Sequence, residues 1–287
     1  MHLLRTHGKQ SLDSCAERLD LGAVALLGVP FDANSSYRGG PALAPPAIRA
    51  ALHSGAFSLF SESGLDLGSE SRFHDLGDLV LCNRIEDFHA IESAAAEIAC
   101  RGSRLLAMGG DHSITYPLLR ALAAKHPGLG LLQVDAHPDI RDEQDGNRYS
   151  HASPFARILE EGLISRLVQV GIRFLSPPNL RQIERFGSEV IPMVDWPPPN
   201  LPAFDGPFYL SLDLDGLDPA FAPGVTHREP GGLATREVLQ LIHRTPGQLV
   251  GADIVEYNPE RDVDGITAVV AAKLVKEVAA RLLHHHH

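Results

Sequence analysis

The chain has 287 residues, 44% of them hydrophobic, enough to bury a large core. Its net charge of −11, with no basic stripe against it, excludes nucleic acid as the expected partner, and no apolar run reaches the roughly 18 residues of a membrane span. Cys15, Cys82 and Cys100 are odd in number and lack tight spacing, which predicts reduced thiols in a cytoplasmic protein and no cysteine-held zinc.

Taken in order, residues 1–10 are polar and lack the apolar stretch of a signal peptide. A first strand is predicted over 23–29, followed by a turn-rich loop, 30–41, in which Asn34 and Ser35 read as turn formers. Pro45-Pro46 opens a helix to about Leu52, since proline is tolerated in a first turn. Residues 54–71, rich in Gly and Ser, read as irregular. A strand at 73–78 carries His74 and Asp75, both incidental, and 86–100 is an alanine-rich helix. The strand at 104–108 runs into Gly109-Gly110-Asp111-His112-Ser113, where glycines allow a tight turn just before an imidazole. A helix follows over 116–125.

The apolar strand at 129–134 ends in Asp135-Ala136-His137-Pro138-Asp139. Side chains alternate along an extended backbone, so Asp135, His137 and Asp139 can point to one side. A charged loop, 139–149, leads to His151, which opens a helix to about Glu161. Then come a strand at 167–172, a helix at 178–186, a short strand at 189–194 and a proline-rich connection, 197–202, with Trp196 before it. The strand at 207–212 ends in Asp213-Leu214-Asp215, and Asp218, before Pro219, reads as a turn former. The last strand, 248–254, leads to Glu256, and an apolar stripe marks a closing helix at 266–283. Residues 284–287 read as an expression tag. Length alone allows about two domains, but unbroken strand–helix alternation predicts one α/β domain over 1–283.

His112, Asp135, His137, Asp139, Asp213 and Asp215 thus fall at the ends of three predicted strands. In open α/β sheets ligands bind at these carboxyl ends. Any one of these stretches could be a polar strand end with an aspartate capping a turn; three together point to a metal centre. Four carboxylates with two imidazoles suit divalent ions such as manganese. Two such ions are balanced by four aspartates, as a carboxylate-bridged hydrolytic site requires.

These stretches together resemble the three metal motifs of the ureohydrolase (arginase/agmatinase) family, and the likeness runs over 27–283. Residues 149–157 and 225–233 look most like plant-type arginases and their bacterial relatives. The resemblance implies a three-layer α/β/α sandwich around an eight-stranded, mostly parallel sheet, two Mn2+, and a homotrimer or homohexamer. It also implies hydrolysis of a guanidinium group to urea and an amine, most simply L-arginine to L-ornithine. An agmatinase or a guanidinobutyrase-like guanidino-acid hydrolase is the alternative. A catalytically silent binding homologue is disfavoured, because every ligand position and His151 are present.

By the same resemblance Asp135 and Asp213 bridge the two ions, His112 and Asp139 complete one, and His137 and Asp215 the other. Asp139 holds the hydrogen of the attacking hydroxide, His151 relays protons, and Glu256 binds the guanidinium. The pairing of a fixed carboxylate with a planar N–H donor supports that last role. The chain departs from the animal arginase pattern at Arg141, where an asparagine stands, at His227, where a threonine stands, and at Ala152, where a glycine stands. Asn147, Ser150 and His227 are the candidates for the substrate's far end.

Overall fold

The structure is a computed structural model that describes residues 4–5 and 19–284. Cys15, the tag residues 285–287 and all of the polar segment 1–10 except Leu4–Arg5 lie outside the described residues. The strands are β1 (Leu4–Arg5), β2 (Val24–Gly28), β3 (Phe73–Leu79), β4 (Arg104–Met108), β5 (Gly130–Val134), β6 (Arg166–Ile172), β7 (Glu189–Pro192), β8 (Pro207–Asp213) and β9 (Gln248–Val255). They form one sheet in the order β1-β3-β2-β4-β9-β8-β5-β6-β7. From β2 to β9 every pairing is parallel, the eight strands expected from the resemblance. The two-residue β1 adds an antiparallel edge on β3, too short for any pattern to announce it.

Strands buried on both faces read as continuous apolar runs, and side-chain alternation splits each run between two cores. Val24, Leu26, Leu106, Met108, Leu210 and Leu212 face one, while Ala25, Leu27, Leu105, Ala107 and Tyr209 face the other. The helices α1 (Ala44–Leu52), α6 (Thr235–Arg244) and α7 (Ile266–Leu283) cover the first face. On the second lie α2 (Asp87–Cys100), α3 (Thr115–Ala123), α4 (Pro154–Glu160) and α5 (Pro177–Phe186). The result is the three-layer sandwich.

Three local expectations need correction. The helix expected to open at His151 begins at Pro154, because a proline suits the first helical position and its ring disfavours helix in the residue before it. The strand expected to reach 194 stops at Pro192 and turns through Met193–Asp195. Helix α6 was not read from the sequence at all. Its signal is the apolar set Val238, Leu239, Leu241 and Ile242, together with Glu237, whose carboxylate accepts the Ala234 N–H at 2.8 Å.

Loop 54–71 is fastened to the first helical layer by Glu62. Its carboxylate takes both Arg236 guanidinium nitrogens, at 2.7 and 3.0 Å, and Lys273 Nζ at 3.1 Å. The Arg236 hydrogen bond, helped by Lys273, pulls its pKa from the usual 4.5 to about 2. A value depressed by folding stabilises above about pH 4.5, and that contribution is lost as pH falls toward 2. Because the side chain is partly solvated, Glu62→Gln is expected to cost only about 0.5 kcal/mol near neutrality. The urea midpoints of wild type and variant should converge as pH drops below about 4.5. A gap that persists unchanged into acid refutes this account.

Candidate active site

Chain order and sheet order differ in a way that assembles the site. Strands β4, β9, β8 and β5 are neighbours, all parallel, so their carboxyl ends open on one side of the sheet. His112 follows β4, Glu256 follows β9, Asp213 and Asp215 end β8, and Asp135, His137 and Asp139 follow β5. This is where the two halves of a doubly wound sheet diverge and leave a crevice.

The turn after β4 depends on Gly110. A β-carbon there would overlap the carbonyl oxygen of Phe31, which receives the Asp111 N–H at 2.8 Å, while Gly110 O receives the Glu256 N–H at 2.9 Å. Gly110→Ala is therefore expected to destabilise by about 1–3 kcal/mol or more, because the clashing atom is backbone held in place. A thermal melt within error of wild type would contradict it.

His112 is fully buried, and its Nδ1 lies 3.1 Å from Asp135 Oδ2, 3.1 Å from Asp139 Oδ2 and 3.1 Å from Asp213 Oδ2. Yet Nδ1 has no hydrogen-bond partner, so the four atoms face a shared centre and do not pair with one another. The other ring nitrogen is anchored: Nε2 sits 2.9 Å from Ser211 Oγ, which donates to Asp253 Oδ1 at 2.7 Å. Thr115 and Tyr209 hydroxyls donate to Asp253 Oδ2, each at 2.9 Å. Since Ser211 spends its proton on Asp253, Nε2 is the N–H donor and Nδ1 is the acceptor turned to the carboxylates, the usual arrangement behind a ligating imidazole.

A second group adjoins the first. His137 Nδ1 lies 3.0 Å from Asp215 Oδ2 and 3.6 Å from Asp135 Oδ1. The candidate ligand atoms of His112, Asp135, Asp139 and Asp213 lie within 4.8 Å of one another, as do those of Asp135, His137 and Asp215. Asp135 belongs to both groups. Asp213 falls in the first, and its Oδ1 accepts the Asp215 N–H at 2.8 Å. Gln133 Nε2 and the His137 N–H, each at 2.6 Å, fix the two Asp135 oxygens. Arg173, not noticed in the sequence, ties the end of β6 to the carbonyl of Asp215 at 2.6 Å.

The electrostatics fit a cation. Burial, then repulsion by Asp135, pushes the Asp139 carboxyl up to about 6, and burial with Asp215 and Asp135 drives Asp213 well above the usual range. Burial works against positive charge on His112, and the three facing carboxylates raise its pKa well above its ordinary value, so the spot where its Nδ1 meets them attracts positive charge. Four carboxylates cannot all stay ionised in this dry spot without positive charge among them. An acceptor-only donor set of oxygens and imidazole matches divalent ions.

Glu256 and His151 meet beside this cluster. His151 Nδ1 is 3.0 Å from Glu256 Oε1, which also accepts the His112 N–H at 2.9 Å. Burial disfavours the imidazolium, but the Glu256 carboxylate pushes His151 up to about 9. Its Nε2 lies 2.8 Å from Ser36 Oγ, and His227 stacks on the ring at 5.4 Å. Glu256 and Asp139 adopt left-handed backbone, at φ 64° and 45°, unusual for non-glycine residues and characteristic of functional sites.

A cavity of about 480 Å³ opens over these groups, bordered by His137, Asp139, Asp213, Asp215, His151, Glu256 and His227. Asn147 and Ser150 do not border it: the Asn147 amide donates to Asn34 Oδ1 at 3.1 Å, and Ser150 Oγ accepts the Ala152 N–H at 3.3 Å. Ser36, Arg141 and Asn179 do border it. Asn34 is structural, its N–H donating to Asp111 Oδ2 at 2.9 Å. Asp218 makes a turn, its carboxylate accepting the N–H groups of Ala220 and Gly231 at 2.9 and 2.7 Å.

Comparison with known proteins agrees with this geometry. The family model for the Arginase family matches residues 22–280. Arginase 1, mitochondrial, of Arabidopsis thaliana is 45% identical, over 91% of this chain and 81% of its own length. The mitochondrial agmatinase of Gallus gallus is 37% identical, over 93% and 82%. The solved arginase of Medicago truncatula superimposes with a TM-score of 0.86 at 38% identity, covering 94% of each chain. Plant relatives are named as mitochondrial or chloroplastic proteins, which overturns the cytoplasmic location expected from the cysteines. Among the described residues Cys82 and Cys100 form no disulfide, but free thiols do not tell one reducing compartment from another. Strand-end motifs, sheet and kinship converge, and the chain belongs to the arginase family of hydrolases.

Proposed function

We propose that the protein hydrolyses L-arginine to L-ornithine and urea at a pair of manganese ions. The observation that carries this reading is the two donor groups sharing Asp135 at the floor of the cavity, beside the Glu256–His151 pair. His112, Asp135, Asp139 and Asp213 would hold one ion, and Asp135, His137 and Asp215 the other. Divalent ions held there lower the pKa of water and supply a nucleophile near neutral pH.

The chain's own residues do the rest. Glu256, fixed by the His112 N–H, orients the guanidinium through charge-assisted hydrogen bonds. Asp139 holds the hydrogen of the hydroxide that adds to the guanidinium carbon and takes that proton as the carbonyl of urea forms. As the bond from that carbon to the side-chain nitrogen breaks, His151 gives its Nε2 proton to the departing amine. Ser36 Oγ, on the cavity wall, is the neighbour of that atom. The reading takes 1–283 as one domain in a homotrimer or homohexamer, for which analytical ultracentrifugation is the check.

The assay is urea release by the manganese-loaded protein from arginine, agmatine, 4-guanidinobutanoate and guanidine. Arginine should be the best substrate. A preference for agmatine removes arginine from this reading while leaving family membership intact.

A further inference from the structure

Each turnover in the reading above leaves His151 one proton short, and the ring must be recharged before the next. Protons enter and leave an imidazole at its two nitrogens, in the ring plane, and not through its faces. Nδ1 is closed, since it lies 3.0 Å from Glu256 Oε1 and Glu256 is 4% exposed. One face of the ring is covered by His227, stacked at 5.4 Å and 29°. What remains is Nε2, and its partner among the described residues is Ser36 Oγ at 2.8 Å. His151 is buried, whereas Ser36 is exposed and borders the cavity. The hydroxyl therefore meets the buried ring on one side and solvent on the other.

A hydroxyl suits that position. It accepts from Nε2–H of the imidazolium and, once the ring is neutral, turns to donate to the Nε2 lone pair. An ionised carboxylate only accepts and an ammonium only donates, so neither serves both states. A serine that serves a turn bonds the backbone close by, but this one bonds a side chain 115 positions away. Its loop also holds it in place. Asn34, two residues earlier, is buried; its N–H donates to Asp111 Oδ2 at 2.9 Å and its Nδ2 to Ser113 Oγ at 3.1 Å. The Asn34 carbonyl accepts the His151 N–H at 3.1 Å. One short segment thus fixes the backbone of His151 and reaches its ring.

We infer that the Ser36 hydroxyl is the port through which His151 is recharged after the amine departs. The inference rests on the hydrolase reading above, in which His151 is the proton donor. In the recharging step the Ser36 Oγ–H bond breaks as Nε2–H forms. Oγ takes a replacement proton from a cavity water, which draws its own from a buffer acid in the bulk. The serine ends unchanged and the ring regains its charge. Because this step follows cleavage of the C–N bond, which is irreversible in water, it enters kcat and not kcat/KM.

The test is steady-state urea release by the manganese-loaded full chain as wild type, Ser36→Ala and Ser36→Thr, in dilute buffer and with added imidazole buffer. Ser36→Ala should lower kcat and KM together, by roughly ten-fold in dilute buffer, while kcat/KM, metal content and the thermal melt stay at wild type. Imidazole should restore its kcat as the concentration rises, whereas wild type should not respond. Ser36→Thr keeps the hydroxyl and should keep kcat. A serine that only props up His151 gives a different split: the donor acts in the cleavage step, so kcat/KM falls and imidazole does not help. That pattern, or Ser36→Ala with wild-type kcat in dilute buffer, overturns the inference. Wild type that cleaves no guanidine refutes the hydrolase reading instead. The port is then judged by exchange of the His151 Nε2 proton with water, followed by NMR, which should slow in Ser36→Ala; exchange as fast as in wild type overturns it.

Discussion

Asp135→Asn is expected to abolish urea release and to lower bound manganese, measured by elemental analysis of the purified protein. Asp135 is the one side chain common to both donor groups, so a neutral amide there weakens both at once. The amide also puts an N–H donor in place of an oxygen that accepts from Gln133 Nε2 or from the His137 N–H. The loss should exceed the roughly 10–100-fold that accompanies removal of an outer partner such as Ser211. Asp213→Asn should cost metal as well, though it belongs to one group and leaves the His137–Asp215 pair intact. Near-normal turnover with full metal content in Asp135→Asn would remove the two-metal reading.

His151→Asn separates proton transfer from coordination. His151 lies outside both donor groups, and its ring nitrogens are occupied by Glu256 and Ser36. Metal content should therefore stay at the wild-type level while turnover falls by roughly 10²–10⁴, the usual cost of losing a general acid or base. Metal lost in proportion to activity would make His151 a structural support and end its assignment as proton donor.

How much was legible in the sequence depended on how local each signal was. The β5 motif could be read because its strand is apolar and its polar side chains recur at period two just past the end. The polar groups behind the cluster escaped notice for the opposite reason. Ser211 and Asp253 look like stray polar residues in apolar strands, and only the β8–β9 register, which pairs them directly, reveals that they support His112. In the sequence Asp111 reads only as part of a glycine turn. Folded, it is buried, caps the turn through Ser113, and is pushed up to about 7 by burial and by Glu256. Asn147 and Ser150 stand outside the cavity lining, which takes Asn179 from the first turn of α5 and Ser36 from the loop after β2.

The strand order also bears on how the protein is made. Strands β4 and β5 follow one another in the chain, but β8 and β9 lie between them in the sheet. As the polypeptide emerges from the ribosome, these two strands therefore expose apolar edges with no permanent neighbour until the last third of the sequence arrives. Parallel pairing over such separations is slow, and open edges invite association with other nascent chains. Asp135, His137 and Asp139 exist long before Asp213 and Asp215 can join them. A metal held by both donor groups would therefore load late in biogenesis, and its acquisition would report that the final strands have slotted home.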